Sequence, residues 1–201
     1  MSLDTTSVWG MWANTGNVDP VLARMLHMLR HHWGSAIDDV GALAALDAVV
    51  AGTNGDNALS RRRALFVIDR GLRRDLPRLL RAAPHAEGTA TFAAADRLEQ
   101  LAPLESARAA GSAIHLTFDL ERRIDGVDQR VIGVAWEAAR HAEGALLQDR
   151  LFQLGTAAVY ICRMFAVHRN DLTGLGSHWQ PARDLARDLA ITLVHEAAQQ
   201  R

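Results

Sequence analysis

Residues 58–82 read ALSRRRALFVIDRGLRRDLPRLLRA, and the spacing in this stretch sets the fold class. With Arg63 at zero and about 100° per residue, Arg70, Arg74 and Arg81 return to within about 20° of it. Leu65, Ile68, Leu72, Leu76 and Leu79 fall on the opposite side. A period of 3.6 with apolar and basic faces so divided predicts an amphipathic helix, one face packed and the other presenting guanidinium groups. Pro77 is the weak point. It predicts a kink, or a new helix starting at Asp75, and a new start would swing Arg78 and Arg81 off the stripe.

Between Arg61 and Arg81 lie eight arginines (Arg61, Arg62, Arg63, Arg70, Arg73, Arg74, Arg78 and Arg81) and two acids, Asp69 and Asp75, a balance of +6. The whole chain has a formal charge of -1, so the remainder sums to -7. There is no lysine; all 22 basic residues are arginine. A genome rich in G and C favours arginine codons, which accounts for the missing lysines but not for the crowding of eight arginines into one helix. Guanidinium is planar, permanently charged and suited to bidentate phosphate contacts. A local stripe on a near-neutral protein predicts a docked polyanion, RNA or single-stranded DNA, with these eight residues on its phosphates. Arg122 and Arg123 form a second candidate patch.

The same period runs along the rest of the chain. After an N-terminal arm (1–18) carrying Trp9 and Trp12, Asp19 reads as an N-cap with Pro20 at the first helical position. The helix from there to Trp33 is expected to bury Val21, Leu22, Met25, Leu26, Leu29 and Trp33. A second helix is predicted over 37–51, ending at the turn cluster 52–57. Others follow at 91–102, 104–125, 127–147, 149–169 and 180–199, with a loop at 84–90 and a glycine-containing loop at 170–179. The helix at 149–169 is apolar on much of its surface (Leu151, Leu154, Ala158, Ile161, Phe165) and is expected at the centre. The expectation is an all-α protein, with residues 19–201 forming a single-domain bundle of about seven to eight helices.

With 49% hydrophobic residues in 201, the chain reads as a folded domain and not a disordered one. One cysteine, Cys162, excludes an intramolecular disulfide and a cysteine zinc site. The N-terminus lacks a basic, apolar leader and no apolar run reaches 18 residues, which predicts a cytoplasmic protein with no membrane contact.

His27 and His31, and likewise Glu137 and His141, have the i, i+4 spacing that can chelate a metal. No matching inward glutamates accompany them, so they read as surface histidines, and no metal or cofactor is expected. A nucleophile elbow, a phosphate-binding loop and a dinucleotide fingerprint are all missing. Arg163 and His168 form an Arg-x4-His pair. It resembles the motif of HEPN-type ribonucleases, a resemblance that implies catalysis on the scissile phosphate of RNA by those two residues.

The C-terminal half carries Glu121, Arg122 and Arg123, then a long helix, then a loop closed by His178 and Trp179, then Asp184-Leu185 and Asp188-Leu189. This order, over residues 119–193, resembles the small helical subunit of CRISPR effector complexes (the Cascade small-subunit group), with His178 where that group has an aspartate. The resemblance implies a non-catalytic protein that packs in file along repeated RNA-binding subunits, self-associates and holds nucleic acid through its backbone. Sequence reading is then left to base pairing with the guide. A nucleic-acid-associated subunit of a ribonucleoprotein is therefore the leading expectation. The HEPN-type ribonuclease is the enzymatic alternative. A helical interaction or immunity protein, its arginines set against another protein's carboxylates, is the third.

Overall fold

Asp19 starts the fold as a cap. Its Oδ1 accepts the backbone N–H groups of Val21 at 2.8 Å and Leu22 at 3.2 Å, ahead of Pro20 at the first helical position. Helix α1 (Pro20–Trp33) then buries the six residues its period predicts: Val21, Leu22, Met25, Leu26, Leu29 and Trp33.

The computed structural model describes residues 19–33, 57–83, 90–124, 126–172 and 176–200. The predicted arm (1–18), the helix at 37–51 and nearly all of the loop at 84–90 lie outside the described residues. After α1 come α2 (Asn57–Arg70), a π-turn (Gly71–Asp75), α3 (Leu76–Ala82), α4 (Ala90–Glu99), α5 (Ala107–Glu121), α6 (Gly126–Gln148) and α7 (Leu151–Leu172). A 3-10 turn (Ser177–Trp179) and α8 (Gln180–Gln199) end the chain. The protein is an all-α, single-domain bundle, with no strand among the described residues.

Helix α7 is the axis, as its composition predicts. It packs against α6, α1, α2 and α8, and Leu154, Ala157, Ala158, Ile161, Cys162, Met164 and Phe165 are fully buried. Small residues make this approach possible. A Cβ at Gly71 would overlap the Ile161 side chain, so the rod that starts at Asn57 lies directly on α7 there. The helix also runs three residues past its predicted end, to Leu172.

The rod is not broken at Pro77. The π-turn absorbs it: the N–H of Leu76 reaches back to the carbonyl of Gly71, five residues earlier. Proline has no N–H to donate, and its ring needs space where the preceding turn's carbonyl would sit; a widened turn supplies that space. The extra residue costs register. Everything beyond it is rotated by about 100° relative to an unbroken α-helix.

The connections are pinned by side chains. Asp69 Oδ1 accepts the N–H of Leu104 at 2.9 Å, and Arg73 Nε donates to the carbonyl of Leu101 at 2.7 Å, so the rod holds the turn after α4. Ser106 caps α5, accepting the N–H of Ala109 at 3.2 Å, and that helix starts three residues later than its predicted boundary. Between α6 and α7, Asp149 takes φ 52°, and the N–H of Arg150 returns to the carbonyl of Ala145 at 3.0 Å. This is a Schellman stop with aspartate in the place usually held by glycine.

Candidate nucleic-acid interface

The predicted arginine stripe is not an open face. Arg63 is buried: Nη1 donates to Asp19 Oδ2 at 2.9 Å and Nη2 to the carbonyl of Ala198 at 3.2 Å. The same Asp19 oxygen accepts from Ser60 Oγ at 2.8 Å. One guanidinium thus ties the start of α1, the first turns of α2 and the end of α8, whose exposed carbonyls favour a cation. Arg70 lies between Asp75 and Glu196 of α8, donating from Nε to Asp75 at 3.2 Å. Arg81 binds Asp96 at 2.6 Å and Glu99 at 2.8 Å on α4, and stands over the ring of Phe92.

The physical reason is coverage. Helices α7, α8 and α1 all pack on α2, whose buried residues are Ser60, Arg63, Ala64, Val67 and Ile68, so the side carrying Arg63 is covered while Leu65, expected on the packed face, is half-buried. The register shift at the π-turn carries Arg81 round to α4. Of the four stripe residues, Arg74 alone remains exposed.

Two of the flanking arginines are also held internally. Arg61 pairs with Asp149 in the α6–α7 turn. Arg73 binds Asp69 at 3.0 Å besides the Leu101 carbonyl. Arg62 and Arg78 are exposed, and, like Arg74, neither forms an ion pair among the described residues. At the end of α5, Arg123 binds Asp119 at 2.7 Å, while Arg122 is exposed and stands 5.3 Å from the ring centre of Phe118. The outward cations of the predicted set are therefore Arg62, Arg74, Arg78 and Arg122.

Internal pairing leaves its mark on the acids. Hydrogen bonds from Arg81 hold the Glu99 carboxyl below its ordinary range, and those from Arg97 and Arg123 do the same for Asp119. Asp75 goes the other way. Burial raises it, against the pull of Arg70, Arg78 and Arg74, and its Oδ1 has no hydrogen-bond partner among the described residues.

The alternative residues fall in different places. Arg163 is exposed on α7, 5.9 Å from the ring centre of Tyr160. His168 is on the same helix, and its side chain lies outside the described residues. The rings of His27 and His31 stack 6.4 Å apart, and burial lowers His27. Glu137 gives one oxygen to Arg140 at 2.7 Å, with His141 at 3.9 Å.

An open groove of about 600 Å³ runs across α5, α6 and α7. Glu121, Arg130, Trp136, Glu137, Tyr160 and Arg163 line it. A signal for it exists in the chain: Phe118 and Arg122, Trp136 and Arg140, Tyr160 and Arg163 are each an aromatic with an arginine one turn on, and in all three the guanidinium stands over the ring. Compared with known proteins, the chain matches no family model, no curated protein and no solved structure.

Proposed function

We propose that this chain is a non-catalytic, nucleic-acid-associated subunit of a larger ribonucleoprotein, touching phosphate through the guanidinium groups its fold leaves outward. The observation that carries the reading is the outward set on the rod, Arg62, Arg74 and Arg78, exposed and without an ion pair among the described residues, while Arg63 and Arg70 are tied to carboxylates of the fold. Such contacts give affinity without reading sequence. Four phosphate contacts, with Arg122 included, make a weak binder by itself, which suits a subunit that acts beside others. The order of motifs over 119–193 favours an assembly of the CRISPR effector kind. RNA or single-stranded DNA and neighbouring protein subunits, copies of this chain among them, are the partners.

The number of contacts is measurable. Each phosphate neutralised on a single strand adds about -0.7 to the slope of log K against log salt, so four contacts predict a slope of about -3 and all ten predicted arginines one of about -7. Fluorescence anisotropy with a labelled 20-mer of RNA, and of DNA, across a salt series reads it. Replacing Arg74 and Arg78 with glutamate weakens binding to every sequence alike and flattens the slope by about 1.4. Binding that is indifferent to salt, or unchanged in that double variant, rejects the reading.

A further inference from the structure

Trp136 and Tyr160 stand on neighbouring antiparallel helices, α6 and α7, and both are partly exposed in the groove. Tyr160 is backed on one side by His141, stacked at 5.2 Å with an 18° interplanar angle. Trp136 is flanked by Phe118, 6.4 Å away and tilted. The rings are thus fixed, at little further entropic cost to a ligand that stacks on them. Arg163 is exposed here without an ion pair among the described residues, and Arg130 lines the same groove one helix over. Across from them are two carboxylates. Glu121 reaches over α6 because residue 133 is glycine: a Cβ there would stand 2.8 Å from Glu121 Oε1. The backbone carbonyl of Glu121 is held by Gln129 Nε2 at 3.2 Å.

Aromatic faces, guanidinium groups and carboxylates in one groove match the three parts of a nucleotide. A base has a π-face, a phosphate takes guanidinium, and a base edge bearing N–H groups donates to a carboxylate. A volume near 600 Å³ suits a ligand of that size. We propose that this groove holds one unpaired nucleotide: the base against the ring of Trp136, its N–H edge toward Glu121, and its phosphate on Arg163. The proposal rests on the nucleic-acid reading above and adds a place where a single base leaves the stack. Guanine binds best, since N1–H and the 2-amino group give one carboxylate two donors. Uracil, whose edge puts carbonyl oxygens toward the acids, binds worst.

The test uses the full chain and free mononucleotides, GMP and UMP, by calorimetry and tryptophan fluorescence. GMP is expected to bind saturably and to quench Trp136, with the quench absent in Trp136→Phe while the calorimetric binding persists. Arg163→Glu, an exposed change that leaves the core alone, lowers GMP affinity about tenfold or more, and UMP binds several-fold more weakly than GMP. Gly133→Ala, which displaces Glu121, erodes the preference for GMP over UMP. The absence of saturable GMP binding, or binding equal in Arg163→Glu and the parent, overturns the groove. The two readings fail separately. Oligonucleotide binding that depends on Arg74 and Arg78 but ignores Arg163→Glu removes the groove alone. Mononucleotide binding in a chain that shows no salt-dependent oligonucleotide binding removes the subunit reading alone.

Discussion

Arg63 and Asp19, 44 residues apart in the chain, meet as an ion pair 2.9 Å long with almost no solvent on either side chain. The pair does two jobs at once. Asp19 caps α1 with one oxygen and takes Arg63 and Ser60 with the other, while Arg63 reaches on to the last turn of α8. Both Nη atoms of Arg63 and both Asp19 oxygens are hydrogen-bonded, while Arg63 Nε is buried without a partner among the described residues, and removing either side chain strands the other's charge.

Arg63→Ala therefore costs about 3–5 kcal/mol in unfolding free energy. Arg62→Ala, one position earlier and exposed, stays within about 0.5 kcal/mol. Urea unfolding followed by helical circular dichroism separates the two. Equal midpoints would show that the buried pair holds nothing together.

Asp75 gives a pH signature. Its carboxyl is raised by burial, so the folded chain favours the protonated form more than the unfolded chain does. A folded-state value above the unfolded one means a contribution present in acid and lost as pH rises through the ordinary carboxylate range toward the raised one. Asp75→Asn keeps an acceptor for Arg70 and removes the buried charge. The variant is expected to gain on the order of 1 kcal/mol at neutral pH and nothing in acid, below the unfolded aspartate range. Thermal melts over a pH series check the crossing, and a constant offset at every pH would refute it.

Gly71 sits where the rod presses on α7. Gly71→Ala overlaps Ile161 and costs about 1–3 kcal/mol. Adding Ile161→Ala removes the Cγ2 atom that the methyl meets, so Gly71→Ala costs less in that background, giving a coupling of at least about 0.5 kcal/mol in a double-mutant cycle. Additive effects would mean that the two residues do not meet.

Asp149 holds a left-handed conformation at the stop of α6. Asp149→Gly relaxes that backbone but gives up the exposed pair with Arg61, so the two changes offset to within about 1 kcal/mol. Asp149→Val, β-branched at positive φ, destabilises by about 1–2 kcal/mol. Guanidinium midpoints for the two variants should differ in that order; a valine variant as stable as the glycine one would contradict the assignment of strain.

Much of the local architecture is legible in the chain. Pro20 after Asp19, and Pro181 at the head of α8, mark helix starts because proline's fixed φ and missing N–H suit the first turn. The buried positions of α1, and Ile68 and Leu72 of the rod, follow from period alone, whereas Leu65, expected on the same face, is only half-buried. The candidate site was less legible. Phase on a helical wheel says which residues share a side, but not how many sides a neighbour will cover. The aromatic and arginine pairs of α5, α6 and α7 were readable one helix at a time, yet only the antiparallel packing of those helices turns them into a groove.

The sequence by itself determined that this protein is helical, where most of its described helices begin and which apolar residues they bury, because those depend on contacts a few residues apart. Tertiary structure alone decided the fate of the arginines. A guanidinium can be sealed inside only if a carboxylate arrives from elsewhere in the chain, as Asp19 does for Arg63 and Glu196 for Arg70. Such meetings depend on how rods cross and on one widened turn before Pro77, and no local period encodes them.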